Sequence, residues 1–421
     1  MKNLTAELET LKAQDMYRHI PQIEEQGKWI REFDRPPMLN LCSNDYLGII
    51  DRQDLIREFY NRMQQNPYIN AQQNPYINAQ QSPYPNPQQN LHPSVQQNLH
   101  PDIQPFHLPH FSAASSRLLT GNSSSYNKLE QLLCEKFNKE AALVFNSGYH
   151  ANIGILPALC DKETMIIADK LVHASIIDGI KLSGCKFERF RHNDCNHLET
   201  ILKKEQHHYK HLFIVTESIF SMGGDEAPLK EIVELKKKYP QITLYLDEAH
   251  AFGVCGATGL GCTEKYDLIQ DVDILVATLG KAVSSVGAFI VCNTAIKNYL
   301  VNKMRSFIFS TALPPINIEW SRFIIEKLPI FTAERRNLYS TSKYLKERLK
   351  CEYSQSQIVT YTTADAQKAV QLSGKLKESG FYALPVRPPT VPPKDIGIRF
   401  SLTASITMQE IEAVAKIILT T

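Results

Sequence analysis

Short apolar runs alternate with amphipathic stretches over most of the chain after residue 103. Five runs are apolar at nearly every position, which predicts strands buried on both faces: residues 141–145, 212–216, 242–246, 274–277 and 288–292. Segments of helical length lie around them, including 126–138 and 226–239, where apolar residues recur at helical spacing. The alternation predicts an α/β fold with a mainly parallel sheet between two helical layers.

The pattern changes at both ends of the chain. Residues 1–15 are typical of a polar amphipathic helix, with Leu4, Leu8 and Leu11 on one side. Beyond about residue 314, helices and shorter strands predict a second, smaller α+β domain. We therefore expect an N-terminal segment (1–63), an insertion (64–103), a large domain (104–313) and a small C-terminal domain (314–421).

The insertion at 64–103 is an octad repeat that occurs five times: QQNPYINA, QQNPYINA, QQSPYPNP, QQNLHPSV and QQNLHPDI. Each unit offers one or two apolar side chains and contains proline, so it has no face to bury and blocks helix formation. This composition predicts a mostly disordered surface insertion, which a fold tolerates because each doubling of loop length costs only about 0.6 kcal/mol. The alternative is a recognition segment for a partner.

Composition narrows the class of protein. The chain has 421 residues, of which 43% are hydrophobic and 21% charged, as expected for a globular enzyme of two or three domains. The 46 basic and 44 acidic residues nearly balance, which gives no electrostatic case for nucleic acid, and no run approaches the ~20 apolar residues that a membrane span requires. Nine scattered cysteines without a Cys-x-x-Cys pair indicate free thiols, no metal site and a cytoplasmic location.

Two polar clusters directly follow predicted strands. Asp247 and His250 come after 242–246, and Thr278 and Lys281 come after 274–277. Ligand sites in parallel sheets gather at the carboxyl ends of strands. A buried lysine amine and an aspartate are what pyridoxal 5′-phosphate (PLP) needs, for its aldehyde and its ring nitrogen respectively. Taken singly, each residue is more often structural, as a helix cap or a solvated lysine.

Further residues could complete such a site. Gly148 and Tyr149 lie in a strand–glycine–helix turn that could bind a phosphate, and Thr278 and Thr311 offer hydroxyls. His173 could stack on a flat ring, although an isolated histidine is more often a satisfied core or surface residue. For a substrate, Arg399 in an alternating strand could bind a carboxylate with its planar fork. Asn44 lies in a turn far from Arg399 in sequence, and each of these two, taken alone, is more often structural.

With these residues in place, the sequence resembles the alpha-oxoamine synthases, a PLP-dependent family of fold type I. The resemblance covers nearly the whole chain except the repeat and rests on these segments: LNLCSNDYLGI (39–49), ASSRLLTGN (114–122), FNSGYHANIG (145–154), HASIIDGIKLS (173–183), TESIFSMGGDEAPL (216–229), LDEAHAFGVCGATGLG (246–261), TLGKAVSSVGAF (278–289) and RSFIFSTALPP (305–315). It implies a seven-stranded-type, mainly parallel sheet. The segment VRPPTVPPKDIGIRFSLTAS (386–405) is similar to the branch that starts biotin ring assembly. That branch condenses L-alanine with a pimeloyl thioester, on coenzyme A or a carrier protein, to 8-amino-7-oxononanoate, carbon dioxide and the free thiol carrier.

The resemblance also implies a role for each candidate residue. Lys281 would form the Schiff base with PLP and remove the alpha proton of alanine, while Asp247 would pair with the pyridine nitrogen and His173 would stack on the ring. His250 and Ser221 would hydrogen-bond the ring hydroxyl. The phosphate would be held by Gly148, Tyr149 and Thr278, and Thr311 would reach the phosphate of the neighbouring subunit. The substrate carboxylate would be bound by Asn44 and Arg399. The last phosphate contact implies a homodimer.

Two departures from the family pattern and three alternative functions stay open. The chain has serines at 123–125 where many members have a histidine, which leaves the thioester contacts there undefined, and the repeat replaces a short connection. One alternative is the sister ligase that joins glycine and acetyl-CoA to 2-amino-3-ketobutyrate. Another is a catalytically silent scaffold subunit, which the presence of Lys281 disfavours. The third is a binding module built around the repeat.

Overall fold

A computed structural model describes residues 3–13, 17, 19–32, 35–64, 109–363, 365–388 and 390–420. Apart from Gln64, the octad repeat and the disorder predicted for it lie outside these residues. Over the described ranges, no helix is both long enough and apolar enough to cross a membrane.

The N-terminal part forms two helices and three short strands. The helices are α1 (Leu4–Ala13) and α2 (Gln53–Gln64), and the strands are β1 (Ile23–Gln26), β2 (Trp29–Glu32) and β3 (Met38–Asn40). The helix predicted for 1–15 is thus confirmed over ten residues, and all of them are exposed. In contrast, α2 buries Leu55, Phe59 and Met63 at helical spacing.

A seven-stranded sheet forms the centre of the molecule. Its strands are β4 (Ala141–Phe145), β5 (Thr164–Asp169), β6 (Lys186–Phe190), β7 (His211–Glu217), β8 (Ile242–Asp247), β9 (Ile274–Thr278) and β10 (Ala288–Cys292), in the spatial order β4-β10-β9-β8-β7-β5-β6. All five predicted strands are confirmed, and β5 and β6 complete the sheet. The ladder is parallel except at β10, which pairs antiparallel with both β4 and β9.

Helices cover both faces of this sheet. They are α3 (Ser124–Phe137), α4 (Gly148–Leu159), α5 (Ala174–Ser183), α6 (Cys195–Glu205), α7 (Leu229–Lys238), α8 (Cys262–Lys265), α9 (Thr294–Lys303) and α10 (Arg305–Ile308). Buried residues of α3, α6 and α7 pack in one apolar cluster, and those of α4, α5, α9 and α10 pack in another. The helix predicted from 226 begins only at Leu229, because Pro228 occupies its N-cap and Glu226 instead binds Lys265.

The C-terminal part contains four helices and two small groups of strands. The helices are α11 (Pro315–Lys327), α12 (Thr332–Leu349), α13 (Ala366–Glu378) and α14 (Met408–Leu419), and the strands are β11 (Ile358–Thr362), β12 (Phe381–Tyr382), β13 (Pro385–Val386) and β14 (Gly397–Ser401). Strands β11, β14 and β13 form an antiparallel sheet, whereas β12 pairs parallel with β3. The N-terminal strands therefore join this α+β part. The domain boundaries remain predictions.

Candidate active site

Three neighbouring parallel strands bring polar residues to one edge of the large sheet. The ladder pairs Glu217 of β7 with Asp247 of β8, and Asp247 with Val276 of β9. At this edge lies a cavity of about 180 Å³, lined by Gly148, Tyr149, Asn152, His173, Ser175, Glu217, Asp247, Ala249, His250, Thr278 and Lys281. Seven of the residues predicted from the sequence therefore meet in one cavity.

Asp247 is held firmly at the floor of this cavity. It is 6% exposed, and its two carboxylate oxygens accept hydrogen bonds of 2.9 Å from the side-chain amide of Asn152 and the backbone N–H of Ala249. Asn152 is itself fixed, because its carbonyl oxygen accepts from the Tyr245 hydroxyl at 2.5 Å and its amide also donates to Ser175. A buried, oriented carboxylate of this kind can bind a heteroaromatic cation.

Lys281 approaches the cavity from the loop after β9. Burial lowers the pKa of its amine to about 8, against the opposing effect of Asp247 and Glu217. The amine lies 2.8 Å from Nε2 of His250, and Nδ1 of that ring lies 2.6 Å from the Tyr46 hydroxyl. Burial, followed by the nearby Lys281, lowers the pKa of His250 well below its usual value, so the imidazole is neutral.

His173 is held by its position as the N-cap of α5. Its Nδ1 accepts from the backbone N–H of Ser175 and lies 2.7 Å from the Ser175 hydroxyl, which fixes the ring against the cavity. Burial lowers the pKa of His173, so this ring too is neutral near pH 7. Its backbone N–H donates to Glu217, a buried carboxyl whose pKa is raised well above its usual value by burial and by the adjacent Asp247.

The other end of the cavity suits an anion. Gly148 and Tyr149 begin α4, where the first amides have no acceptor within the helix, and Ser147 caps the helix by accepting from the backbone of His150. A Cβ built at Gly148 meets no atom within 4 Å, so the space beside this helix start is open. The Thr278 hydroxyl lines the same cavity and donates to the Gly287 carbonyl.

Four predicted residues lie outside the cavity lining. Thr311 is exposed, and its carbonyl accepts from the Asn146 side chain at 2.7 Å. Asn44 Oδ1 accepts from the hydroxyls of Tyr46 and Ser401, both at 3.1 Å, which leaves its amide nitrogen to donate. The carbonyl of Ser221 accepts from Nε of Arg399 at 2.6 Å, and the planar guanidinium carries further donors that can bind a carboxylate.

Sequence reasoning missed several residues of this site. Glu217, Asn152, Ser175 and Tyr46 line the cavity or bind its members, but the sequence pattern predicted none of them. A signal existed for Glu217 alone, because it ends a buried apolar run beside the strand that carries Asp247. Asn152 and Tyr46 act through contacts with residues far away in the chain, and Ser175 acts through His173, two residues before it.

Comparison with known proteins identifies the family. The model of the aminotransferase class I and II family matches residues 74–418, which is most of the chain. The chain belongs to this family. Its fold is that of the PLP-dependent enzymes of fold type I, so the predicted fold class is confirmed.

Individual members of the aminotransferase class I and II family resemble the chain over nearly its full length. The 8-amino-7-oxononanoate synthase of Haemophilus ducreyi is 46% identical over 402 residues, which cover 94% of each protein. A serine palmitoyltransferase of S. paucimobilis, solved with a bound PLP–myriocin aldimine, is 25% identical, covers 100% of this chain and 96% of its own, and superposes with a TM-score of 0.81. The 8-amino-7-oxononanoate synthase of Francisella tularensis is also 25% identical, over 91% of this chain and 97% of its own, with a TM-score of 0.67. These relatives confirm the resemblance to the alpha-oxoamine synthases.

Proposed function

We propose that this protein condenses L-alanine with a pimeloyl thioester, releasing carbon dioxide and the thiol carrier, to form 8-amino-7-oxononanoate. The observation that carries the proposal is one cavity that contains Lys281, Asp247 and His173, in a chain 46% identical to a synthase of that name. The resemblance in fold to serine palmitoyltransferase supports acyl transfer to an amino acid in general. The choice of alanine and pimeloyl groups is supported by the sequence identity.

The residues of the cavity fit PLP. Asp247 offers an anion to the ring nitrogen, and His173 offers a flat neutral ring for stacking. The open start of α4 and the Thr278 hydroxyl together offer a place for the phosphate. His250 and Ser221 would hydrogen-bond the ring hydroxyl. When bound, PLP supplies an electron sink that stabilises negative charge on the alpha carbon of an amino acid.

Lys281 would move the alpha proton. With a pKa of about 8, a substantial fraction of its amine is neutral near pH 7.5 and can accept a proton. The neutral His250 holds the amine at Nε2 and is itself held by Tyr46. This arrangement orients Lys281 through a neutral ring, so His250 itself adds no positive charge beside the amine.

Asn44 and Arg399 would hold the substrate carboxylate. Oδ1 of Asn44 and Nε of Arg399 already take part in hydrogen bonds. The remaining nitrogens of both side chains are donors, which suits a carboxylate. A planar guanidinium can bind both carboxylate oxygens, which fixes the orientation of the alpha carbon. The hydroxyl of Tyr46 links Asn44 to His250, so the carboxylate and the base would be positioned by one set of hydrogen bonds.

The exposed residues around Thr311 support a homodimer. Leu119 and Phe309 are 78% and 71% exposed, which is unusual for large apolar side chains, and the backbones of Ser116 and Thr311 pair in an isolated β-bridge. In the dimer, Thr311 would contact the phosphate bound by the neighbouring subunit. Light scattering on the purified protein should give twice the mass of the chain.

The function is tested by offering the PLP-loaded protein a panel of substrates and identifying products by mass spectrometry. We expect 8-amino-7-oxononanoate from L-alanine with pimeloyl-CoA or the pimeloyl carrier protein, in preference to products of glycine with acetyl-CoA or serine with palmitoyl-CoA. Preference for the glycine pair would assign the sister ligase instead. No product from any pair, with no absorption band on adding PLP, would favour a silent scaffold.

A further inference from the structure

His192 lies between two buried carboxylates and does not line the cavity. Its Nδ1 is 2.8 Å from Asp169, and its Nε2 is 2.7 Å from Asp225. Asp169 ends β5 of the large sheet, whereas Asp225 belongs to the loop 218–227, which follows β7. The histidine therefore ties this loop to the large sheet.

The two contacts make His192 a cation. Because both ring nitrogens face carboxylate oxygens, both must donate, and only the imidazolium can do so. Burial alone would lower the pKa of His192, but its hydrogen bonds to Asp169 and Asp225 outweigh burial and raise it to about 9. The Tyr353 ring lies 6.2 Å away, and its phenol stays neutral because burial and the neighbouring carboxylates raise its pKa.

Loss of this positive charge would leave two buried carboxylates, one of them in the loop 218–227, without a cation. Asp169 and Asp225 are 0% and 3% exposed, and over the described ranges His192 is the only basic side chain within 4 Å of either. Removing the cationic partner of a buried carboxylate strongly destabilises the folded protein. The cost is relieved when Asp225 moves towards water or takes up a proton, and either change breaks its ionic contact with residue 192.

The same loop is bonded along its length to the C-terminal part of the chain. Four successive carbonyls, those of residues 221–224, accept hydrogen bonds of 2.5–2.9 Å from Arg399 Nε, Thr360 Oγ1, Ser354 Oγ and the backbone N–H of Gln355, in that order. Gly223 also has no room for a side chain, since a Cβ there would collide with Asp225 and Tyr353. The backbone N–H of Phe220 donates to the carbonyl of Asp225 at 3.0 Å, so a displacement of Asp225 would act on the residue next to Ser221, whose carbonyl accepts from Arg399.

We propose that cationic His192 is a positioning residue for the amino acid substrate: by holding Asp225 it fixes the loop 218–227 and so aims Arg399 at the substrate carboxylate. The inference rests on the proposed role of Arg399. It assigns to His192 an effect on amino acid binding, through the loop, and none on the chemistry at Lys281.

The first test compares His192→Gln with His208→Gln in the PLP-loaded enzyme. Glutamine keeps a donor but not the charge, and His208 is an exposed histidine that also lies beside a carboxylate, Glu205. We expect the KM for the amino acid to rise about tenfold or more in His192→Gln, the usual effect of losing a hydrogen bond to a charged group, with kcat within about threefold. The affinity for PLP should be unchanged, and His208→Gln should behave as wild type.

A second variant keeps the proposal testable if His192→Gln folds poorly. In His192→Gln/Asp225→Asn, only Asp169 is left as a buried carboxylate without a cation, whereas His192→Gln leaves two, so the thermal midpoint of the double variant should exceed that of the single variant while the KM stays high. A KM within twofold of wild type, or a fall in kcat at constant KM, would overturn the proposal.

A pH profile separates positioning from a general structural role. Propionate has the carboxylate of alanine but no amine, so its competitive Ki reports carboxylate binding without titration of the ligand. In the wild type, Ki should rise above about pH 9 as His192 loses its proton, and this rise should be absent in His192→Gln. Identical profiles in both proteins would overturn the proposal.

These tests do not depend on the identity of the substrate. They use whichever amino acid and thioester the wild type prefers in the substrate panel. Preference for another pair would overturn the proposed function, whereas only the KM and Ki comparisons can overturn the role of His192.

Discussion

Lys281 and His250 are joined by a hydrogen bond of 2.8 Å between Nζ and Nε2. The path continues from Nδ1 of His250 to the Tyr46 hydroxyl and from there to Oδ1 of Asn44, over 2.6 Å and 3.1 Å. It connects the proposed base with a residue proposed to bind the substrate carboxylate. Because the pKa of His250 is well below its usual value, the ring can hold Lys281 without taking its proton.

Lys281→Ala should abolish turnover and leave the fold intact, because the variant removes both the proposed attachment point of PLP and the proposed base. The control is Lys162→Ala, which changes an exposed lysine and should retain full activity. Product formation is measured by mass spectrometry and folding by circular dichroism. Substantial activity in Lys281→Ala would show that another group removes the alpha proton.

Asp247→Asn should slow removal of the alpha proton far more than it weakens retention of PLP. A neutral amide cannot keep the pyridine nitrogen protonated, so we expect exchange of the alpha proton of alanine into heavy water to slow by about 100-fold or more. The other PLP contacts are unchanged, so the dissociation constant should rise less than the exchange rate falls. Nuclear magnetic resonance gives the exchange rate and fluorescence titration the affinity; equal losses in both would contradict the prediction.

Five strands of the large sheet could be predicted because they are apolar at nearly every position and buried on both faces, whereas the interior strand β5 was missed although all six of its residues are buried. Runs such as β4 and β10 are apolar throughout, and their predicted bounds agree with the structure at both ends. The edge strand β6 was missed, since three of its five residues are exposed and the run KFERF has mixed polarity. The pairing of β3 with β12 could not be found, because two very short strands meet across more than three hundred residues.

Some residues of the site could likewise be predicted from the sequence, and others could not. Asp247 and Lys281 could be found because parallel strands bring their carboxyl ends to one edge, so position in the sequence predicts position in the sheet. Asn152 and Tyr46 could not, because each acts through a partner about one hundred residues or more away. Their types, an amide in a helix and a tyrosine in a turn, carry no signal of that role.

Glu217→Gln should flatten the dependence of stability on pH. Burial raises the pKa of Glu217 well above its unfolded value of about 4.3, so the native state binds more protons and loses stability as the pH rises through the native pKa. Glutamine imitates the protonated carboxyl and can still accept from His173. Urea unfolding between pH 5 and 8 should show a smaller loss for Glu217→Gln than for wild type, and equal slopes would contradict the assignment. Glu217→Ala should cost about 1–3 kcal/mol, since the His173 N–H loses its acceptor.

Close packing of α4 against α5 should make a glycine outside the cavity necessary for the site. A Cβ at Gly179 would collide with the carbonyl of Asn152, the residue that holds Asp247. Gly179→Ala should therefore destabilise the protein by about 1–3 kcal/mol, as overpacking does, and also weaken PLP binding by displacing Asn152. The matched control is Gly374→Ala in α13, where a Cβ meets no atom within 4 Å and alanine should stabilise the helix by about 0.5–1 kcal/mol. Urea unfolding and PLP titration are measured for both variants, and the prediction fails if Gly179→Ala is as stable as Gly374→Ala.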